Sequence, residues 1–363
     1  MEGENPAFVL QKVNEVSFEA RKKPSLRHDR DVVVHIEQTG ICGSDVHYWQ
    51  HGSIGKFVLT SPMVLGHESS GTVVEVGSNV KDLKPGDRVA IEPGVPCRFC
   101  EHCKAGNYNH CPEMAFAATP PFDGTLQKYY CVDYDFCYRL PENMSFEEGA
   151  LIEPVSVAVQ IARRARLHAT DSVVVFGCGP IGLLCQAVAR AYGCKRVVGV
   201  DISQGRLDFA AQYAADGVYK PSPKQPEEDD DKYNQRVAKE LCDKFGVEEG
   251  FDAVLEATGA QPCMQLGVYA ARPQARFVQA GMGRDYANFP VTAALIKELQ
   301  WTGSMRYAAG CYKTSVELVS SGKIDVKPLI TNHFSFQEAE EAFKLVASRD
   351  ESVIKVLISG VKN

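Results

Sequence analysis

The chain has 363 residues, 45% of them hydrophobic and 23% charged, which is room for two domains of ordinary globular composition. A formal net charge of −7 offers no basic field for nucleic acid or an acidic membrane surface, no apolar run approaches the ~20 residues that span a bilayer, and MEGENPAFVL has no charged-then-apolar leader; small-molecule partners and a cytoplasmic location are expected. An odd count of thirteen cysteines in such a chain points to thiols and metal sites, not to a disulfide framework.

From the N-terminus to about residue 150 the pattern is one of short strands separated by turns. Asp31 to Ile41 places Val32, Val34 and Ile36 on one face, Gly71 to Val76 forms another apolar run, and Lys84-Pro85-Gly86-Asp87 is a turn. Ser145 followed by Glu148 is a capping box that opens a helix, and Pro154 suits the first turn of the next, so Glu153 stands at a helix junction.

Two sets of metal ligands lie in this part. Cys97, Cys100, Cys103 and Cys111 follow C-x-x-C-x-x-C-x7-C spacing within one loop, and four thiolates so close complete a tetrahedral shell on zinc, leaving no position for substrate. The second set is scattered: Cys42 in ICGSDVHYW, His67 and Glu68 in GHESSG, and Glu153 in LIEP. Singly each is weak; together they supply the mixed S, N and O ligands of a catalytic zinc with an open position. Asp45 is placed to orient a ligating histidine from behind. Ser44, His47 and Tyr48 are near enough in sequence to pass a proton outward, with a plain surface or core histidine as the alternative for His47.

From there to about residue 299 strands alternate with helices. Val173 to Phe176 is a buried strand, followed at once by Gly177, Gly179 and Gly182 in G-x-G-x-x-G order, with Pro180 and Ile181 opening an apolar helix; a second strand, Arg196 to Val200, ends in Asp201. Gly177 allows the turn, Gly179 lets the backbone approach a pyrophosphate, and Gly182 lets the helix pack on the sheet. Asp201 follows the last glycine by about twenty residues, where a carboxylate accepts the ribose hydroxyls, so NAD is favoured over NADP. Phe251 to Leu255 and Ala275 to Ala280 are further strands. The acidic run PSPKQPEEDDDK, 221–232, reads as a solvated surface loop. Segments 300–307 and 353–358 look like strands returning to the first domain's sheet.

These residues resemble the zinc-dependent medium-chain dehydrogenases. GHESSGTVVEVGSNV, Gly66 to Val80, fits the G-H-E-x-x-G-x5-G-x-x-V signature throughout, and the cysteine quartet and GCGPIG lie where that family has them. Glu153, in place of a second cysteine, and the pair Arg306-Tyr307 resemble the polyol branch, the sorbitol and xylitol dehydrogenases. The resemblance implies an α/β fold: a Rossmann doubly wound parallel sheet (154–299) and a β-rich GroES-like catalytic domain (1–153 and 300–363). It implies a catalytic zinc on Cys42, His67 and Glu68, with Glu153 either a fourth ligand or bonded to the zinc water, and a structural zinc on the cysteine loop. Tyr48, Phe116, Thr119, Glu153, Arg306 and Tyr307 would line a polyol pocket, and Ile181, Asp201, Arg206 and the Gly281 turn would hold NAD. Arg306 can also be read as a partner of the cofactor phosphates.

The expected reaction is reversible oxidation of a polyol's secondary alcohol to a ketose, with xylitol placed before sorbitol and L-arabinitol, and the proton leaving through Ser44 and His47. A non-catalytic binding protein that kept the fold is the reading from another class. Relatives imply a homo-oligomer, a tetramer.

Overall fold

The computed structural model describes residues 4–362. The chain forms two compact units, 1–154 with 308–363, and 155–307.

The first unit is built on a seven-stranded sheet. Its path runs Cys137–Arg139, Arg88–Ile91, Glu68–Val76, Asp31–Gly40, Lys355–Ser359 and Ile330–Phe334, and Tyr129–Asp133 pairs with Asp31–Gly40 off that path. The Asp31–Gly40 strand is the hub. One edge takes Glu68–Val76, while the other is divided between Tyr129–Asp133 along its first half and the C-terminal strand Lys355–Ser359 along its second. Val32, Val33 and Val34 are all fully buried, so both faces of this strand are covered and not one alone. A second core gathers Phe8, Leu10, Trp49, Leu65 and Phe343 beneath the helix Gly43–His51.

The second unit carries a six-stranded parallel sheet in the order Gly217–Tyr219, Arg196–Val200, Ser172–Phe176, Phe251–Glu256, Ala271–Gln279 and Gln300–Gly303. Numbered along the chain this is 3-2-1-4-5-6, the doubly wound dinucleotide order. Ser172–Phe176 lies in the middle and is buried throughout, which is why it reads as continuous Val and Phe without alternation.

Two expectations need correction. Gln300–Gly303 does not return to the first unit: it pairs in parallel with Ala271–Gln279, from Arg276 opposite Gln300 to Gln279 opposite Gly303. The helix Val291–Ile296 supplies the crossover that parallel pairing requires, so the change of unit falls at 308 and not at 300. The acidic run 221–232 is not loop to its end. Asp229 caps the helix Asp230–Phe245 by accepting from the Lys232 N–H at 2.8 Å, and Asp230 and Asp231 occupy its first turn, where the helix dipole favours carboxylates. Arg236 reaches back from the second turn to Glu228 at 2.5 Å, and that bond, with backbone help from Gln225, pulls Glu228 down to about 2. No helix among the described residues is long and apolar enough to cross a membrane.

Candidate metal centres and dinucleotide turn

Cys42, His67 and Glu68 are brought together from separate elements. Cys42 caps the N-terminus of the helix Gly43–His51, and Glu68 begins the strand Glu68–Val76 with His67 just before it. Gly66, at φ +90, makes the turn that delivers His67, a conformation glycine adopts without cost. One donor atom from each of the three lies within 4.8 Å of the others. Thiol, imidazole and carboxylate at this separation form a donor set that fits zinc.

Asp45, fully buried, organises the group from behind. Its Oδ1 accepts from the Gly66 N–H at 3.0 Å and stands 3.3 Å from His67 Nδ1, while Oδ2 accepts from the Cys42 N–H at 3.2 Å. This fixes the imidazole and leaves Nε2 for a metal. Burial opposes charge on His67, but Asp45 and then Cys42 outweigh it and hold the ring well above its ordinary pKa; a cation at the ring takes that proton's place.

Lys355 is the residue that the sequence did not reveal. It is 5% exposed, projects from the C-terminal strand, and donates to Glu68 Oε1 at 2.8 Å, to Oε2 at 2.6 Å and to the Ile41 carbonyl at 3.2 Å. Burial lowers its pKa, yet Glu68 and Cys42 more than reverse this, so the ammonium stays charged. The one available sequence signal was a lysine inside an otherwise apolar strand, VIKVLIS.

Glu153 is buried in the first turn of the helix Ile152–Arg164, following the helix Phe146–Ala150, whose capping box joins Ser145 and Glu148 at 2.7 and 3.1 Å. It lies outside the group of three, although its charge acts on Lys355. Phe116 packs its ring 5.8 Å from that of His67, and Tyr48 and Thr119 are buried in the same unit. Ser44 is partly buried and His47 exposed on the helix Gly43–His51. Arg306, at φ +50, and buried Tyr307 close the second unit.

The four loop cysteines also converge, with one donor atom from each within 4.8 Å. The N–H groups of Phe99 and Cys100 donate to Cys97 Sγ at 3.4 and 3.3 Å and pull its thiol down to about 7. Burial pushes Cys103 and Cys111 the other way. All thirteen cysteines are free thiols. A third group, His28, Asp31 and Asp133, is an ion-pair network: Arg27 bonds both oxygens of Asp31 and Arg98 lies 3.4 Å from Asp133, so its carboxylates are already compensated.

In the second unit Gly177 turns at φ +94, and a Cβ on Gly182 would fall 1.8 Å from the Gly177 carbonyl oxygen, so the helix Pro180–Ala191 approaches the strand as closely as backbone permits. A Cβ on Gly179, the N-cap, would meet nothing within 4 Å, which leaves the helix N-terminus open to an anion. Asp201 is held by the N–H of Cys178 at 2.7 Å and of Ser203 at 2.9 Å, with Arg206 on the helix that Ser203 caps. Gly281 packs on the 258–259 turn, where a Cβ would come within 2.1 Å of the Gly259 nitrogen. Buried Glu256 pins that turn through the N–H groups of Thr258 and Gly259 and through Gln279. A glutamate ending a buried strand, DAVLEATG, was its unused sequence signal.

This combination of metal centre and glycine turn defines a class. Residues 28–142 match the alcohol dehydrogenase GroES-like domain and residues 180–321 match the zinc-binding dehydrogenase domain, and the chain belongs to the zinc-binding medium-chain dehydrogenases. More particularly, it is 54% identical over 360 residues to the probable D-xylulose reductase A of Aspergillus clavatus, covering 99% of this chain and 98% of that protein. It is 52% identical over 358 residues to D-xylulose reductase A of Aspergillus oryzae, covering 99% and 97%. Among solved structures, L-idonate 5-dehydrogenase of Escherichia coli superposes with a TM-score of 0.88 at 28% identity, covering 99% of each chain. The 2R,3R-butanediol dehydrogenase of Bacillus subtilis gives 0.86 at 28%, covering 98% and 100%.

Proposed function

We propose that this chain oxidises a secondary hydroxyl of an acyclic polyol to the ketose with NAD, and that xylitol and D-xylulose are its preferred pair. The observation that carries the reading is the convergence of Cys42, His67 and Glu68 with Asp45 behind them, in a chain 52% identical to D-xylulose reductase A of Aspergillus oryzae. When bound, zinc makes an alcohol acidic near neutral pH and NAD accepts hydride.

The protein's own groups do the rest. Cys42, His67 and Glu68 hold the ion, and Asp45 keeps the imidazole turned toward it. Glu153 would serve either as a fourth ligand or as the group that holds a water or hydroxyl at the ion. Tyr48, Phe116 and Thr119 shape the pocket wall, Arg306 and Tyr307 bind remaining hydroxyls, and Ser44 and His47 hand the proton outward. A site that pairs hydroxyls rejects simple alcohols that lack them. In the nucleotide unit Asp201 takes the ribose hydroxyls, Arg206 flanks it, and Gly177, Gly179, Pro180, Ile181, Gly182 and Gly281 admit the pyrophosphate and nicotinamide. The cysteine quartet holds the structural zinc. We also propose a cytoplasmic homo-oligomer, a tetramer, whose contacts include the end strand Gln300–Gly303.

The test is a steady-state panel of xylitol, sorbitol, L-arabinitol and ethanol with NAD and with NADP. The expected result is highest kcat/KM for xylitol with NAD and negligible turnover of ethanol. No oxidation of any polyol by zinc-loaded protein would return the chain to the binding-protein reading.

A further inference from the structure

The helix Gly43–His51 carries a pair of potential metal ligands in its last turns, on its exposed side. His47 and His51 are both exposed, and their ring centroids are 4.6 Å apart with the planes inclined at 56°. Residues four apart on a helix are neighbours on one face. Two histidines at that spacing are also how helical zinc sites take hold of their ion.

Three further features suit the pair to a cation. His28, His35, His67, His168 and His333 each lie within ion-pair distance of a carboxylate, whereas neither His47 nor His51 does among the described residues. With no carboxylate to favour the imidazolium, His47 is held below its ordinary pKa by partial burial and then by repulsion from His51, against a bond to the Ser53 backbone that works the other way. That direction favours the neutral ring, the form that ligates metals. The pair also sits at the C-terminal end of the helix, closed by Gly52 at φ 72, where unsatisfied carbonyls present the negative pole of the dipole.

We propose that His47 and His51 together bind one divalent transition cation of the imidazole-seeking class, Cu2+, Ni2+ or surplus Zn2+, and that its binding takes His47 out of proton transfer. Two imidazoles leave the rest of the shell to water, so the ion is exchangeable, unlike one enclosed by four thiolates. Affinity follows Cu2+ above Ni2+ and Zn2+, with Mg2+ and Ca2+, which prefer oxygen, excluded. A chain that depends on zinc would then slow when the free ion is in excess. The slowing rests on His47's place in the proton path proposed above; the binding does not.

The experiment uses the zinc-loaded full chain and Ni2+ as probe, followed in parallel by titration calorimetry and by initial rate, with zinc content measured before and after. His51→Ala removes one ligand without touching the catalytic machinery. His102→Ala is the control, since His102 and His110 form the other close histidine pair, with centroids 6.0 Å apart. The expected result is a saturable Ni2+ site whose affinity falls about tenfold or more in His51→Ala and is unchanged in His102→Ala. The midpoint of inhibition should move with it, while turnover without Ni2+ and zinc content stay as in the wild type. Superimposable titrations for wild type and His51→Ala would overturn the site. Binding that depends on His51 but leaves the wild-type rate untouched would overturn the inhibition and remove His47 from the proton path.

Discussion

Lys355 and Glu68 form an ion pair that is nearly inaccessible to water, at 5% and 1% exposure, and Glu68 is also one of the proposed metal ligands. In such a place the carboxylate needs a cation at all times, because an unpaired buried charge costs about 3–5 kcal/mol. Two cations can serve, the lysine and zinc, and this makes a variant informative. In Lys355→Met the carboxylate depends on zinc alone, so the expected outcome is a large loss of thermal stability in chelator-stripped protein and a small one in zinc-loaded protein, read by calorimetry with and without metal. Equal losses in both forms would mean that Lys355 acts only as packing. Asp201 offers a second test at this scale. Its carboxylate is fixed by two backbone N–H groups, and the next residue, Ile202, is exposed, so a basic side chain there meets no obstruction. Asp201→Ser combined with Ile202→Arg should raise the NADP-to-NAD ratio of kcat/KM by about tenfold or more, ~1.4 kcal/mol. An unchanged ratio would show that this carboxylate does not meet the ribose.

The cysteine loop is fastened to the sheet of its unit by a buried acid. Glu92, fully buried just after the strand Arg88–Ile91, accepts from Tyr108 of the loop at 2.5 Å and from Tyr138 of the neighbouring strand at 2.9 Å. Burial, with Asp135 and Glu153 of like sign nearby, pushes its carboxyl up to about 7 despite both tyrosines. The sign for stability is the reverse of a salt-bridged carboxylate's. In the unfolded chain this acid ionises near 4.5 and in the fold near 7, so its contribution is undiminished below 4.5, falls through that interval, and stays low above 7. The loss amounts to about 3 kcal/mol. Glu92→Gln keeps a partner for each tyrosine without the charge; it should match wild type near pH 5 and exceed it at pH 8 in denaturant unfolding. A constant difference across that range would place the titration elsewhere. Glu92 and Lys355 show why part of the site was hidden in the sequence. The glycine turn and the cysteine quartet are local patterns in which spacing alone specifies geometry. Cys42 and His67-Glu68 were recognisable because each kept a short motif around it. Lys355 meets Glu68 across 287 residues, and no local pattern announces such a pairing. The strand Gln300–Gly303 was recognisable as a strand but was assigned to the wrong sheet, because four residues of β propensity carry no address; the crossover helix before them supplies it.

For the whole molecule, a net charge of −7 argued against a basic surface for nucleic acid or acidic membranes but left self-association open. The surface we propose for self-association lies on the nucleotide unit. Gln300–Gly303 is the last strand of its sheet, and among the described residues no strand pairs with its outer edge. Beside it the helix Val291–Ile296 leaves Leu295 70% and Ile296 74% exposed, with Trp301 also exposed on the strand itself. An open strand edge next to adjacent large apolar side chains is a surface that proteins ordinarily cover, because the edge offers unpaired backbone groups and the apolar patch favours burial. A second copy of the same chain satisfies both, edge against edge about a twofold axis, so that each residue of the patch meets the patch of its partner. Leu295→Asp with Ile296→Asp places like charges across any such contact while leaving the buried core of the unit unchanged. The expected outcome is a fall in mass by sedimentation velocity, with zinc content per chain preserved and thermal stability lowered. If the doubly substituted protein sediments like wild type, the chains associate through another surface and this edge is covered by something else.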